Sequence, residues 1–467
     1  MKVLIFGTGH YYEQFSHFIY ENDVVVGLLD NNPQKWGRLI DGVRVYNPDN
    51  FMHIQYDKII LLSVYDIEMH KQLMEKGIAY DKVMYWKQYY ILIMPNDYKV
   101  FSNQMPLKYK RKILIITTNL NYNGGSLAAI YAADALSAKG HYVAIAAPYA
   151  NEDFLKEHID RGLNFILYPS LPYIDREHLS WAEKFDIVIV NVFQMIQSAC
   201  EMSLIKPTIW WLHECSDNYA SFYSDTLYRF QQYADEKYFG KIVICAVSDI
   251  AKDNFQRYFS DTLVRLMPYG IPDEYKNPHG KETKKLIFAV IGYVEERKAQ
   301  DTFVEAISML KGYTEDIEYW LIGKIPENNF GFKIQTAVSE NNAIRILGEL
   351  TREQMKDVYK KIDIIVCPSR EETMSIVVTE GMMYGKPCIA SDKIGMAEYI
   401  VDGENGILCK AGDSMDLSLK MKWCIEHRDE LEVIGRKSRI TYENHFTLEC
   451  FGERLESVMK ELQEVVS

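Results

Sequence analysis

Pro368-Ser369-Arg370-Glu371-Glu372-Thr373-Met374-Ser375-Ile376-Val377-Val378-Thr379-Glu380-Gly381 follows the apolar run Ile362-Asp363-Ile364-Ile365-Val366-Cys367. The run reads as a buried strand. Ser375 is placed to N-cap a short helix, which Gly385 and Pro387 close. Glu372 then lies in the strand-to-helix loop and Glu380 on the helix, with seven residues between them. In a parallel sheet such a loop sits at the carboxyl edge of the strands, where ligands bind. Backbone N–H groups at the helix start face a phosphate or a sugar hydroxyl there. Taken alone, the stretch reads equally as a strand–turn–helix with two solvated glutamates, because the helix dipole favours acidic first turns.

The residues beyond it narrow the reading. Glu380-Gly381-Met382-Met383-Tyr384-Gly385-Lys386-Pro387 continues through Asp392 to Gly395, Glu398 and Val401-Asp402-Gly403-Glu404-Asn405-Gly406. Over about forty residues this closely resembles the nucleotide-sugar end of retaining glycosyltransferases of family 4, the glycosyl transferases group 1, which have the two-domain GT-B fold. The family pattern is P-S-x-x-E, seven residues, E-x-M-x-x-G-x-P, then a Gly and a dG-x-N-G turn. Gly381 stands where the family usually has Ala, a mild helix-weakening change.

A chain of 467 residues is too long for one ordinary domain, and two or three are expected. At 48% hydrophobic and 25% charged the composition is globular. A net charge of −13 argues against a general nucleic-acid binder. The local basic run Lys108-Tyr109-Lys110-Arg111-Lys112 reads as a solvated linker. The eight cysteines lack C-x-x-C spacing, which fits buried thiols in a reducing compartment better than disulfides or zinc. Met1-Lys2-Val3-Leu4-Ile5-Phe6 reaches Gly7 too soon for a signal-peptide core. No apolar run approaches the roughly 18 residues of a membrane span. A cytoplasmic protein is expected, peripheral at the inner face of the membrane at most.

At the front, strand Val3-Leu4-Ile5-Phe6 leads into Gly7-Thr8-Gly9, and a second strand, Val24-Val25-Val26-Gly27-Leu28-Leu29, ends at Asp30. Asp30 sits about where a Rossmann unit puts its ribose-binding acid. The segment resembles the small Rossmann-like domain at the front of some sugar-modifying enzymes, with its D-N-N-P-x-K-x-G element beginning at Asp30. Tyr12 occupies the third fingerprint position, where a bulky residue hinders close helix–strand packing. A structural or docking role is therefore preferred to dinucleotide binding, and a dehydrogenase is a poor reading. From about Tyr89 to Lys112 the periodicity fades and a domain boundary is expected.

A fresh strand, Ile113-Leu114-Ile115-Ile116, opens the next domain and leads to Gly124-Gly125 and an Ala-rich helix. Glycines at such a turn let the backbone approach a ligand closely, and in the family the corresponding loop lies against donor diphosphate and acceptor. Thr208-Ile209-Trp210-Trp211-Leu212 ends in His213-Glu214, again at a strand's carboxyl end. The family places a similar histidine close to the transferred sugar; by itself a lone histidine is as readily structural. The aromatic stretch from Asn218 to Gly240 is read as helix packing with some residues lining an acceptor groove, and a hinge is expected near residues 272–284.

In the last third, strand Leu286-Ile287-Phe288-Ala289-Val290-Ile291 precedes Gly292 and then Arg297-Lys298, expected at a helix start. Many family members read G-x-x-x-x-R-K-G-x-D there, and Ala299 replaces the usual Gly. Fixed cations near a leaving diphosphate lower the barrier.

The resemblance covers residues 113–467, about three quarters of the chain, and implies the following. The fold is α/β, with three Rossmann-like domains: 1–95 at the front, a linker 96–112, a GT-B acceptor domain 113–275 and a donor domain 276–467 whose last helix crosses back. The donor, a UDP- or GDP-sugar first, binds between the last two. Glu380 accepts the ribose hydroxyls, and Glu372 holds the transferred sugar with the backbone N–H groups of Met374, Ser375 and Ile376. Arg297 and Lys298 neutralise the diphosphate beside Gly124 and Gly125, and His213 sits near the reacting carbon. No D-x-D motif lies at a strand end in the donor half, so no metal or other cofactor is implied. The expected function is retaining, metal-independent transfer of a sugar to a glycan or lipid-linked acceptor in cell-surface polysaccharide assembly. The alternative is a catalytically silent nucleotide-sugar-binding scaffold.

Overall fold

Apolar runs of four to six residues, buried on both faces, dominate the strands, which is the signature of parallel sheets flanked by helices. The computed structural model describes residues 1–94, 97–102, 108–221, 239–275, 285–310 and 316–466. Three sheets follow one another along the chain.

The first contains β1 (Lys2–Phe6), β2 (Val24–Leu29), β3 (Leu39–Ile40), β4 (Val43–Tyr46), β5 (Lys58–Leu61) and β6 (Val83–Tyr85), in the order β3-β4-β2-β1-β5-β6. All pairs are parallel except the short β3–β4 hairpin. Tyr12 does not hold the helix His10–Asn22 off this sheet. It is buried among Val3, Ile5 and Leu28, and its hydroxyl bonds Tyr20 at 2.8 Å and Asp41 at 2.9 Å, which corrects the sequence expectation. The carboxylate of Asp30 is already engaged by Thr8, Asn32 N (2.8 Å) and Lys35 Nζ (2.9 Å).

The second sheet contains β7 (Lys99–Phe101), β8 (Lys112–Ile116), β9 (Tyr142–Ala147), β10 (Asn164–Leu167), β11 (Ile187–Asn191), β12 (Thr208–Leu212), β13 (Ile242–Ala246) and β14 (Val264–Leu266). Its order is β14-β13-β12-β11-β8-β9-β10-β7. Here the stretch read as a linker is corrected in part: β7 pairs antiparallel with β10 and closes one edge. Three residues are too few for any periodicity to be read. Of the aromatic stretch, Tyr219 and Phe239 pack against Phe193 and Trp210; Phe222, Tyr223, Tyr228, Phe230, Tyr233 and Tyr238 lie outside the described residues. So does most of the expected hinge, residues 276–284.

The third sheet contains β15 (Leu286–Ile291), β16 (Ile317–Ile322), β17 (Ile344–Gly348), β18 (Ile364–Cys367), β19 (Cys388–Ser391) and β20 (Ile407–Cys409), all parallel, in the order β17-β16-β15-β18-β19-β20. The chain returns at a bridge between Ile271 and Thr447. Its last helix, Leu448–Val466, then packs on the second sheet: Phe451 lies 5.3 Å from Trp211 and Glu461 pairs with Arg265. Gly381 also has a reason beyond helix propensity. A Cβ there would lie 2.7 Å from Cys388 Sγ and 3.0 Å from Ile365, so glycine lets the helix Ile376–Met383 settle onto β18 and β19. Among the described residues no helix is long and apolar enough to cross a membrane.

Candidate active site

The carboxyl ends of the second and third sheets face each other across a cavity of about 740 Å³. Nine of the ten residues singled out from sequence line it: Gly124, Gly125, His213, Arg297, Lys298, Glu372, Met374, Ile376 and Glu380. Ser375 is the exception. It is fully buried, and its hydroxyl caps the helix at Val378 N (3.4 Å) and meets Cys367 Sγ at 3.6 Å, so its side chain shapes the loop from behind.

Asn123 caps the Ala-rich helix Gly124–Ala138 through Ser126 N at 2.9 Å, which sets Gly124 and Gly125 at the cavity edge. A Cβ on Gly124 would reach within 3.8 Å of Ile376 across the cavity. Arg297 and Lys298 do not open the following helix directly, as expected, but form the turn Glu296–Lys298. Ala299 then takes a left-handed φ of 55° before the helix Gln300–Met309, a conformation that glycine adopts without strain.

Lys298 Nζ donates to Glu372 Oε1 at 2.5 Å, and Ser369 Oγ donates to the other carboxylate oxygen at 3.1 Å. Burial would raise the Glu372 carboxyl, but Lys298 and Arg297 outweigh it and hold it below the usual range. For Lys298, burial is likewise outweighed by Glu372, and the ammonium is raised. The linkage has two signs. The carboxylate's contribution to stability is present above its ordinary value of 4.5 and lost as pH falls through the lower folded value. The ammonium's is present below 10.5 and lost as pH rises through its higher folded value. In thermal melts against pH, the difference between wild type and Lys298→Met/Glu372→Gln is therefore expected to be flat through neutrality and to shrink at both extremes. A difference that changes around neutral pH would place the controlling charge elsewhere.

Glu380 is half-buried and receives the Tyr359 hydroxyl at 2.5 Å, with Tyr384 stacked on Tyr359 at 4.8 Å. Burial raises its carboxyl, and Tyr359 and Arg352 offset this only in part. The His213 ring packs on Trp211 at 4.3 Å. Its Nε2 is buried with no hydrogen-bond partner among the described residues, and burial pulls the imidazole down to about 3, so it is neutral. Next to it, burial pushes Glu214 up to about 7 against the backbone N–H groups of Phe193, His213 and Glu214 itself.

Sequence reading missed the side chains that clasp the two halves. Glu371 accepts from Ser216 N at 2.8 Å and Asn254 Nδ2 at 2.7 Å. Thr373 Oγ1 donates to His213 O at 2.5 Å, and Tyr269 OH to Met374 O at 3.2 Å. Below Glu380, Arg352 reaches Tyr131 OH and Glu274, each at 3.0 Å. The cavity thus joins two adjacent cations, two carboxylates in unlike environments and a neutral imidazole under a closed clasp.

Residues 272–441 match the family of glycosyl transferases group 1, and residues 1–84 match one described as C2185-like, N-terminal. Residues 272–441 thus form a glycosyl transferases group 1 domain. Among curated proteins, an uncharacterised glycosyltransferase of Methanocaldococcus jannaschii is 28% identical over 151 residues, 32% of this chain and 41% of its own length. The lipopolysaccharide core biosynthesis glycosyltransferase LpsE of Rhizobium meliloti is 27% identical over 124 residues, 27% of this chain and 35% of its own length. The matched part therefore spans less than half of these relatives. Among solved structures, Anabaena HepE in complex with UDP and glucose superposes with a TM-score of 0.65 at 16% identity, over 75% of this chain and all of HepE. Sucrose-phosphate synthase of Thermosynechococcus elongatus gives 0.61 at 15%, over 76% of this chain and all of that one. At such identities the likeness is one of fold, and the fold is GT-B.

Proposed function

We propose that this chain is a retaining glycosyltransferase of family 4, moving a sugar from a nucleotide-sugar donor to a glycan or lipid-linked glycan. Arg297 and Lys298, side by side in a cleft with Glu380, are the observation that carries the reading. Two fixed cations at one wall suit a diphosphate leaving group, whose charge grows as the glycosidic bond breaks. The Glu380 oxygen not held by Tyr359 suits the ribose hydroxyls. Glu372 and the loop Met374-Ser375-Ile376 then face the sugar, with neutral His213 opposite.

The reaction proposed is a front-face displacement in which the acceptor hydroxyl attacks the anomeric carbon and the departing phosphate takes its proton. The chain's part is to bind, to neutralise charge without a metal and to exclude water by closure. HepE was solved with UDP and with UDP-glucose, which makes a UDP-sugar the first donor to try. A cytoplasmic site of action in cell-surface polysaccharide assembly, peripheral to the membrane, completes the reading, with residues 1–95 as a docking module.

The test is a thermal-shift panel of UDP-, GDP-, ADP- and dTDP-sugars on wild type and Glu380→Ala. Saturation at 100 times the dissociation constant should add about 2.7 kcal/mol. One donor that stabilises wild type and not the variant is expected. No donor effect, or one that survives in the variant, would sink the reading; binding without turnover on any acceptor would favour a scaffold.

A further inference from the structure

Val192, immediately after β11, has φ 82° and ψ 151°. Among the described residues only Asp41 and Ala299 are other non-glycine residues with positive φ, and neither is β-branched. For a valine this is a genuine backbone outlier, which persists only where its surroundings over-determine it. The surroundings do so on three sides. Val192 N donates to Trp211 O at 2.9 Å, and Val192 O accepts from Trp210 Nε1 at 3.1 Å. The next N–H, that of Phe193, donates to Glu214 Oε1 at 2.6 Å.

Glu214 uses its second oxygen on a different strand end: His213 N donates to Oε2 at 2.9 Å. One carboxylate, 5% exposed, thus ties the end of β11 to the end of β12. Both ends support the cavity wall. Asn191 Nδ2 holds Gly125 O at 2.9 Å, and a Cβ built on Gly125 would lie 3.5 Å from Val192 Cγ1. The glycine turn therefore rests on the strained peptide, and His213 on the other arm of the same carboxylate.

Resting on the proposed transfer reaction, we infer that Glu214 is a positioning residue: its carboxylate holds Val192 in a strained conformation and so fixes His213 and the Gly124-Gly125 turn against each other across the acceptor wall. Above the value of about 7 to which burial raises it, the carboxylate is acceptor-only on both oxygens, whereas the isosteric amide of Gln would turn an NH₂ toward one of the two N–H donors. The donor-binding cations and Glu380 lie on the other half of the molecule, which meets this arm where Thr373 Oγ1 donates to His213 O at 2.5 Å and Arg297 reaches Cys215 Sγ at 3.8 Å.

Glu214→Gln, Val192→Gly and the double variant test it in the full-length protein. Glu214→Gln should lower kcat about 10²-fold through misplacement of the reacting groups, while donor KM stays within about threefold. Hydrogen exchange should quicken in peptides covering 191–193, 213–215 and 123–126, and remain unchanged in the helix Ile376–Met383. Glycine takes φ near 80° freely, so in the Val192→Gly background the Glu214→Gln penalty in kcat and exchange should shrink to less than about tenfold, a coupling that independent sites do not show. Wild-type exchange and kcat in Glu214→Gln, or penalties that simply multiply in the double variant, would overturn the inference. Exchange reads the brace even in a protein that transfers no sugar. Absence of turnover in wild type therefore counts against the proposed reaction, while the exchange pattern decides the brace.

Discussion

Lys298→Ala is expected to lower sugar transfer by about 10²- to 10³-fold, the range for removing one preorganised group that stabilises developing charge. The same substitution should destabilise the fold by about 3–5 kcal/mol, because it leaves Glu372 buried without its cation. The two effects have different origins and can be separated. With the ammonium gone, burial dominates at Glu372 and its carboxyl rises, so Lys298→Ala should recover part of its stability at lower pH. Lys298→Met/Glu372→Gln removes both charges, leaves no uncompensated ion and should melt between the single variant and wild type, yet it should transfer no faster than the single variant. Calorimetry and initial rates on the three proteins check this. A double variant that regains activity would mean that the ion pair serves the fold alone and that the diphosphate is neutralised elsewhere.

The same pair shows what could be read from the sequence. Arg297 and Lys298 were legible as a cation pair between a strand and a helix, and the structure gives them a turn of their own ending in left-handed Ala299. The spacing of Glu372 and Glu380 was legible because a strand, a Ser cap and a short helix fix where each must point. What the sequence could not show is the partner of each group. Glu372 meets Lys298 from 74 positions away, and Glu371 meets Ser216 from 155. The first contact follows from the pairing of β15 with β18 within one sheet and the second from the packing of two sheets against each other, and no local period encodes either. Tyr359 was invisible for a further reason: on the helix Arg352–Lys361 a single buried tyrosine looks like core, and only its hydroxyl's approach to Glu380 separates it from one. Tyr12 failed in the opposite direction, since a bulky residue at a fingerprint position found a hydroxyl partner on either side and joined the core.

Gly395→Ala should be nearly as damaging as loss of the lysine, although position 395 does not line the cavity. Gly395 begins the turn Gly395–Tyr399, and its N–H donates to Glu372 O at 2.8 Å. A methyl there would lie 2.0 Å from Thr373 O, and 2.6 Å and 2.8 Å from Ser248 Cβ and Oγ. The first clash is with backbone, which cannot swing aside as a side chain can. The methyl must push Thr373 away from its bond to His213 O, or push the donor half away from Ser248, which caps the helix Asp249–Gln256 of the acceptor half. Either movement shifts Glu372 relative to His213. A displacement of about 1 Å at reacting groups costs about 10²-fold in rate, with overpacking adding about 1–3 kcal/mol of instability. Gly412→Ala supplies the contrast: its φ is 73°, but a Cβ there meets nothing within 4 Å. That variant should lose about 1 kcal/mol from backbone strain alone and keep its rate. Rates within about threefold of wild type in Gly395→Ala would show that the halves need not close as tightly as they do here for transfer to occur.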